Sequence, residues 1–321
     1  MTRGWCPGIY EPMASGDGLL VRVKPFGGRV SAAALRALAE AAAAFGNGVV
    51  ELTSRGNIQL RGLSAESVPR FAAVMVDAGL ADPDPVRERR RNVVTAPPCD
   101  DALVAAAEAV LSGLPDMALK FCVGFGWDDA DIVVGEDGLS VNGAPCARDA
   151  VPDAIRRLAV AANGRRMRDP GRRAVRPRHD AGLAALPFGQ TDANTLARLA
   201  ERVAEVRTTP WRAFYLTGSA DLAGLGFMTD PADPRLTLAA CPGAPACASA
   251  TVSTRADAAF LAARGIGGVH VSGCAKGCAY ARATRTLVGN SGRYDLVLHG
   301  RAGDAPDHAG LTIAQAAALL A

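Results

Sequence analysis

The alternation of apolar and polar positions near the start of the chain predicts a strand, helix, strand, strand, helix unit. GLLVRVKPF alternates apolar with basic positions, as a half-buried strand does, and carries Arg22 and Lys24 on one face. SAAALRALAEAAAAF has an Ala/Leu stripe between a Ser31 cap and a Gly-Asn-Gly stop, which predicts a helix. VVELTSRGNIQLRG then predicts two short strands around a turn at 54–57, and residues 66–78 predict a second helix.

A second unit with a different order begins at Asn92. NVVTAPPC leads into a predicted helix at 102–111, then two strands in ALKFCVGFG and DIVVG, and a hairpin in DGLSVNG. At the N-terminus, GWCPGIYEPMASGDG lacks periodicity and is predicted to be a loop or arm. Near the C-terminus, LTIAQAAALL predicts a closing helix.

The second half of the chain repeats this pattern. PFG at 187–189 echoes PFG at 25–27, and TPWRAFYLTG lies over TSRGNIQLRG with Thr, Leu and Gly matching. ACPGAPAC can be laid beside VVTAPPCD, and VHVSGCAKGC beside LKFCVGFG. We therefore predict an A-B-A′-B′ internal duplication with a period of roughly 156 residues, each half too irregular for a solenoid. Such a pseudo-twofold protein offers one cleft at its centre.

Composition is that of a globular protein. The chain has 321 residues, is 49% hydrophobic and 21% charged, and carries a formal net charge of +3. Its length suggests about two domains. Apolar runs are shorter than the roughly 20 residues of a spanning helix, and MTRGWCPGIY has no signal-peptide core. We expect a cytoplasmic protein with no membrane partner, and no nucleic-acid partner because that requires a concentrated basic face.

The positive charge is unevenly distributed, with two arginine-rich runs. Arg87–Asn92 (RERRRN) and a longer run at 165–178 lie in segments containing Pro and Gly that look like linkers. Solvated loops are the usual structure of such runs, and we favour that interpretation for the longer one. The alternative is attraction of a polyanionic ligand, because several Arg side chains can bind several carboxylates.

Four cysteines in two loops carry the strongest chemical signal. Cys241-x5-Cys247 and Cys274-x3-Cys278 place two pairs of thiols among Gly, Pro and Ala. A 4Fe–4S cluster takes four thiolates, and small neighbours leave room for it and for backbone N–H donors. Zinc and disulfides are alternatives, but zinc favours closer pairs and disulfides need an oxidising compartment. The other four cysteines are predicted to be free thiols, namely Cys6, Cys99, Cys122 and Cys146.

Several motifs resemble the precorrin-3B synthases, a family within the sulfite and nitrite reductase superfamily. They are GWCPGIYEPMASGDGLLVRV, LTSRGNIQLRG, AACPGAPACASA and VSGCAKGCA, and the resemblance covers essentially the whole chain. It implies an α+β, internally duplicated nitrite/sulfite reductase-like fold, with ferredoxin-like half-domains and two cluster-type α/β half-domains around a central cleft. The expected boundaries are 1–85 (arm and first ferredoxin-like half-domain), 86–165 (α/β domain lacking a full cysteine set), 166–235 (basic linker and second ferredoxin-like half-domain) and 236–321 (cluster-binding α/β domain).

The resemblance also implies roles for single residues. The four loop cysteines match the cluster ligands, and Cys278 matches the cysteine that bridges cluster and sirohaem iron in the reductases. In the reductases, cationic and polar side chains bind the macrocycle carboxylates and the small anionic substrate. The matching positions here are Arg22, Arg55, Gln59, Arg91 and Lys120. For each one alone, a surface charge on a strand is the alternative.

Three positions depart from the reductase pattern. Lys276 stands where the reductases carry Asn, Cys122 where they carry a second active-site Lys, and Glu51 where many carry Arg. Reduction of an oxyanion on haem iron requires positive charge and a proton supply, so the loss of a cation at Cys122 and at Glu51 weakens that activity. The resemblance therefore favours a tetrapyrrole as the substrate.

The implied activity is oxygen-dependent hydroxylation of precorrin-3A, with closure of a ring acetate into a lactone, in aerobic cobalamin synthesis. It would use a 4Fe–4S cluster, molecular oxygen and an electron donor such as NADH or a reductase or ferredoxin. A separate non-haem iron is implied too, although the four His residues contain no His-x3-His pair. His270 is either a hydrogen-bonded core residue or a residue near the cluster. A sirohaem-dependent sulfite or nitrite reductase and a non-catalytic electron-transfer or redox-sensing protein are the alternative functions.

Overall fold

The computed structural model describes residues 7–115, 117–135, 138–168 and 182–321. The chain forms two compact units. The first combines the N-terminal residues up to Met13 with Leu19–Gly226, and the second combines Ala14–Gly18 with Phe227–Ala321. The finer division into four parts stays a prediction. Among the described residues, no helix is long and apolar enough to cross a bilayer.

The part of the described chain up to Leu216 contains both strands and helices. The strands are β1 (Met13–Ser15), β2 (Gly18–Val23), β3 (Arg29–Ser31), β4 (Val49–Leu52), β5 (Ile58–Leu63), β6 (Val93–Thr95), β7 (Val123–Phe125), β8 (Ile132–Gly135), β9 (Ser140–Val141), β10 (Ala144–Pro145), β11 (Leu183–Ala185), β12 (Gln190–Asp192), β13 (Glu205–Thr208) and β14 (Ala213–Leu216). The helices are α1 (Ala32–Phe45), α2 (Ser67–Asp77), α3 (Pro85–Arg90), α4 (Asp101–Ser112), α5 (Val151–Ala162) and α6 (Ala193–Ala200).

The first predicted unit is present as β2, α1, β4, β5 and α2, with the three strands antiparallel. The Ser31 hydroxyl accepts the Ala34 N–H at 3.2 Å, so the predicted N-cap of α1 is confirmed. The helix buries Leu35 and Leu38 and leaves Arg36 exposed, because its Ala/Leu stripe faces one side.

Two short strands are exchanged between the similar halves of the first unit. The strand β3 pairs antiparallel with β13, and β12 pairs antiparallel with β4. The two sheets therefore contain β2-β5-β4-β12 and β11-β14-β13-β3 in these orders. This reciprocal exchange confirms the predicted internal duplication of the A half.

The repeated sequence motifs align almost as predicted. Backbone φ is positive at Gly56 (67°) and Arg212 (59°), in turns 156 positions apart, which agrees with the predicted period. The alignment of the two PFG motifs is shifted by one residue. Gly27 has a φ of 57° and corresponds in backbone conformation to Phe188, with a φ of 54°, rather than to Gly189. Backbone shape thus recurs where the side chains do not.

The two α/β regions share one sheet topology. In the first, β6, β7 and β8 are parallel, and β9 and β10 follow antiparallel. The second unit holds β15 (Ala239–Ala240), β16 (Val269–Ser272), β17 (Thr284–Asn290), β18 (Arg293–Gly300) and β19 (His308–Leu311), with α7 (Thr254–Ala262) and α8 (Ile313–Leu320). There β15, β16 and β17 are parallel, and β18 and β19 follow antiparallel. The recurrence confirms the B-to-B′ duplication, and α8 is the predicted closing helix.

Two local expectations were wrong. RERRRN is largely helical, since α3 begins after an Asp84 side chain that accepts the Val86 N–H at 2.8 Å and has Pro85 at its first position. Lys120 is not on a strand but exposed in a turn before β7. Most of the longer basic run, together with Cys6 and His179, lies outside the described residues.

Candidate functional site

The cysteine loops of the second unit leave the same edge of its sheet. Cys241 directly follows β15, and Cys274 comes two residues after β16. Because these strands are parallel, their carboxyl ends are neighbours, and both loops begin there. The Cys241 N–H donates to the Val271 carbonyl at 3.4 Å, which extends the pairing to the start of the first loop.

Small residues in these loops are required by close contacts. Gly243 has φ of 68°, and a Cβ there would lie 2.5 Å from the Thr254 hydroxyl oxygen. That hydroxyl donates to the Cys241 carbonyl at 2.5 Å. A Cβ on Gly273 would lie 2.6 Å from the Ala250 Cβ and 3.4 Å from the Cys241 sulfur. The Gly273 N–H donates to that sulfur at 3.2 Å, as backbone donors do at cluster thiolates.

The Cys278 thiol is influenced by burial and by the charged groups of its two loops. Burial raises the pKa of the Cys278 thiol. The three other loop cysteines raise this pKa further, as neighbouring thiolates do, and Lys276 lowers it. Among the described residues, no group of three or more His, Cys, Asp or Glu side chains is arranged to hold a metal ion. The four loop thiols are not in disulfides, and the N–H donor and glycines beside Cys241 are of the kind that surround a cluster thiolate.

Other groups in the second unit support the loops. The arm segment reaches the first loop, where the Ser15 hydroxyl donates to the Ala246 carbonyl at 3.3 Å. The Lys276 Nζ donates to the Ser249 hydroxyl at 3.0 Å and so connects the two loops. His270 is 1% exposed on β16, and its Cε1 would lie 3.7 Å from a Cβ on Gly277. The imidazole therefore packs beneath the second cysteine loop.

In the first unit, polar side chains form a row across β2, β5 and β4. Arg22 pairs with Gln59, and Gln59 with Glu51, in the strand register. The Arg22 Nε donates to the Gln59 amide oxygen at 2.9 Å, and the Gln59 amide donates to the Glu51 carboxylate at 2.5 Å. Arg61 lies 3.6 Å from the same carboxylate. Glu51 is 5% exposed, so it balances buried positive charge at the end of this row.

Arg55 borders two cavities of the first unit. The larger has a volume of about 540 Å³ including its open mouth, and Lys24, Arg89 and Tyr10 also line it. The smaller is about 260 Å³ and is lined in part by Lys24, Arg91, Glu108 and Thr208. Cationic side chains from the residue after β2, the 54–57 turn and α3 line the larger cavity together with Glu11 and Glu88, and the cations suit a ligand with carboxylates.

Arg91 lines the smaller cavity, but its charge is already balanced by neighbours. The side chain is buried and donates to the Glu88 carboxylate at 2.6 Å and the Lys24 carbonyl at 2.7 Å. It also lies over the Phe26 ring, 3.5 Å from the ring centroid. The Glu108 carboxylate lies 3.6 Å from the Arg91 guanidinium. Burial is the largest influence on Glu108 and raises its pKa, although the positive charge of Arg91 opposes this shift. Arg91 thus shapes the cavity wall.

The remaining predicted positions differ in exposure. Lys120 is exposed, whereas Cys122 is 1% exposed. Burial raises the pKa of the Cys122 thiol, although the positive charge of Arg55 opposes this shift, so the thiol is neutral at pH 7. Sequence reasoning missed Glu108 and Thr208 as cavity residues. The signal for Glu108 was a carboxylate on the apolar face of the helix DALVAAAEAVLS.

Comparison with known proteins accords with these features. Residues 11–77 match the family model described as the nitrite/sulfite reductase ferredoxin-like half domain. The solved structure of the Mycobacterium tuberculosis NirA protein aligns with a TM-score of 0.64 and 19% identity, over 88% of this chain and 75% of that one, which shows the shared fold. A precorrin-3B synthase from Sinorhizobium sp. is 31% identical over 95% of this chain and 85% of its own length. This chain therefore belongs to the precorrin-3B synthase family and has the nitrite/sulfite reductase-like fold.

Proposed function

We propose that this protein is an oxidoreductase that converts precorrin-3A to precorrin-3B. The reaction inserts one oxygen atom from molecular oxygen as a hydroxyl group and closes a ring acetate into a lactone. The other oxygen atom leaves as water, formed with two protons and two electrons from NADH, a reductase or a ferredoxin. The observation that carries this proposal is the relative named precorrin-3B synthase, which is 31% identical across 95% of the chain. The proposed setting is the cytoplasm, where thiols stay reduced.

The cavities beside Arg55 support a tetrapyrrole as the substrate. Precorrins carry acetate and propionate arms, and charge-assisted hydrogen bonds from Arg and Lys bind such carboxylates. Arg55 and Lys24 border both cavities and come from different parts of the unit. We assign carboxylate binding to Arg22, Arg55, Gln59 and Lys120, and the wall of the smaller cavity beside Arg55 to Arg91.

Two side chains favour this substrate over a small oxyanion. Glu51 places a buried carboxylate in the row with Gln59 and Arg61, where many reductases have a cation. Cys122 places a buried, neutral thiol where they have a second Lys. A carboxylate repels a negative charge that develops during anion reduction, and a thiol is a much weaker donor than a Lys ammonium. The row can still orient a neutral ring edge or a carboxylate through Arg22.

The proposed cluster ligands are Cys241, Cys247, Cys274 and Cys278. A bound 4Fe–4S cluster supplies electrons one at a time, which reactions of ground-state oxygen require. The Gly273 N–H and the buried Thr254 hydroxyl hold the backbone and sulfur of the first ligand in place. A separate non-haem iron for oxygen activation belongs to the proposal, without residues assigned to it.

The test is turnover of precorrin-3A by anaerobically purified protein that is then given oxygen and reductant. We expect a product one oxygen atom heavier, and its loss when Cys241 or Cys274 is changed to Ser. Cys146→Ser is the control, because Cys146 lies in the first unit and is not a proposed ligand. A sirohaem spectrum with reduction of sulfite or nitrite, and no change in precorrin-3A, would overturn the proposal.

A further inference from the structure

The arginine-rich run at 87–92 places different arginines at the two cavities of the first unit. Arg89 lines the larger cavity, and Arg91 lines the smaller one. The Arg91 side chain is buried and is held by Glu88, whereas the Arg89 side chain is 43% exposed. Arg89 therefore offers an accessible guanidinium to a ligand in the larger cavity.

The Arg89 guanidinium pairs with a carboxylate of the N-terminal arm. Its Nη2 donates to the Glu11 Oε1, and the Glu11 side chain is 42% exposed. Glu11 lines the same cavity as Arg89, so the ion pair lies at the cavity wall. An ion pair between two exposed side chains contributes little to stability, since water competes for both partners. The pair can therefore open at little cost when another carboxylate approaches Arg89.

Other contacts hold the arm and the end of α3 beside the cavity. Ile9 is fully buried, and the Tyr10 hydroxyl donates to the Asp82 carbonyl at 2.8 Å, which fixes the arm on both sides of its turn into the cavity wall. The Lys24 Nζ donates to the Arg89 carbonyl at 3.1 Å and so holds the backbone of α3. The ion pair between the two side chains is thus not needed to place either residue at the cavity.

We propose that Arg89 binds a carboxylate of the tetrapyrrole and that Glu11 is the partner which this carboxylate replaces. The inference rests on the proposed substrate. Arg55 and Arg89 line one cavity from the 54–57 turn and from α3, so a macrocycle with several carboxylate arms can contact both. A guanidinium binds a carboxylate through two parallel hydrogen bonds. Because two carboxylates repel each other, Glu11 and a ligand arm compete for the same guanidinium.

The test is a fluorescence-quenching titration of the anaerobically purified protein with uroporphyrin, a stable tetrapyrrole with acetate and propionate arms. Oxygen and reductant are left out, so the result does not depend on turnover. We expect Arg89→Gln to weaken binding by about fivefold or more, because a charge-assisted hydrogen bond to the ligand is lost. Glu11→Gln should strengthen binding by about twofold to fivefold, because a competing exposed ion pair is removed.

The opposite directions of these two effects separate exchange of carboxylates from a purely structural contact. If the pair only fastened the arm, both changes would break the same contact and shift the affinity in the same direction. Arg89→Lys keeps the charge without the planar guanidinium and should recover part of the affinity. Arg87→Gln is the matched control, because Arg87 is an exposed, ion-paired residue of the same helix that lines neither cavity. It should change the affinity by less than about twofold.

Three results would overturn the assignment of Arg89. They are equal affinities of wild type and Arg89→Gln, equal losses for Arg87→Gln and Arg89→Gln, and shifts of Arg89→Gln and Glu11→Gln in one direction. Each of them leaves the proposed function standing if the wild type converts precorrin-3A. Opposite shifts in a protein that does not convert precorrin-3A would instead support Arg89 and overturn the proposed function.

Discussion

Asp131 is a buried carboxylate whose removal should destabilise the first α/β region. It is 1% exposed and accepts the Cys122 N–H at 2.9 Å, the Met167 N–H at 2.7 Å and the Arg168 N–H at 3.1 Å. The Arg166 Nε donates to it at 2.7 Å. One side chain therefore fastens the segment after α5 to the backbone just before β7.

The expected cost of Asp131→Ala follows from these contacts. The Arg166 side chain is 30% exposed, so water can replace part of its interaction with Asp131. Arg168 is exposed too, but the buried Cys122 N–H would be left without its side-chain acceptor. We therefore expect a loss of about 1–3 kcal/mol for Asp131→Ala, the usual cost of an unsatisfied buried donor. Asp131→Asn keeps an acceptor oxygen and should cost roughly half of that.

Urea denaturation followed by tryptophan fluorescence measures this loss. Trp127 packs in the same small core as Cys122, so its emission reports on this region. The control is Asp149→Ala, which removes the same charge from an exposed position of the same unit and should change stability by less than about 0.5 kcal/mol. If Asp131→Ala and Asp149→Ala unfolded with equal free energies, the assignment of a fastening role to Asp131 would be refuted.

Three further predictions concern the ligand cavities, the cysteine loops and pH. Arg55→Ala should weaken tetrapyrrole binding by about tenfold or more, because a charge-assisted hydrogen bond to a carboxylate is lost. A fluorescence-quenching titration measures the binding, and Arg36→Ala, at an exposed position outside both cavities, should have no effect. Gly273→Ala should lower the iron content, because its Cβ would overlap a neighbour at 2.6 Å, whereas Gly303→Ala, with 3.7 Å to its nearest neighbour, should retain the iron. The hydrogen bond from Arg207 lowers the pKa of Asp101 below its usual value of 3.8. The free energy that this pair adds to folding is therefore fully present above pH 3.8, and it is lost as the pH falls through the lowered pKa of Asp101. Denaturation curves of wild type and Asp101→Asn should therefore differ at pH 7 and converge in strong acid; a constant gap would contradict the pairing.

Local patterns predicted most of the elements, because helices and strands depend on nearby residues. The Ser31 cap and the apolar stripe after it define α1, and the Asn142-Gly143 turn, with positive φ at both residues, defines the hairpin of β9 and β10. The short helix α3 was missed although its signals were present, since Asp84 and Pro85 are typical of a helix start. The arginine-rich composition of the segment indicated a linker instead.

The candidate site was only partly predictable, because it depends on contacts between distant residues. The cysteine spacing predicted four grouped thiols, and the structure starts both cysteine loops at one edge of the sheet, while no group of described side chains is arranged to hold a metal ion. The pairing of Glu51 with Gln59 appears only once the strand register is known. Likewise, the burial of Arg91 against Glu88 at the wall of the smaller cavity depends on how α3 packs, which the sequence does not reveal.

The central claim is tested most directly by turnover of precorrin-3A under ¹⁸O₂. Anaerobically purified protein with its full iron content is mixed with precorrin-3A and reductant, and the product is analysed by mass spectrometry. Precorrin-3B synthase activity predicts one ¹⁸O atom in the product, and none when labelled water replaces the labelled gas. Unchanged precorrin-3A from protein that contains an intact, reducible cluster would contradict the proposed function.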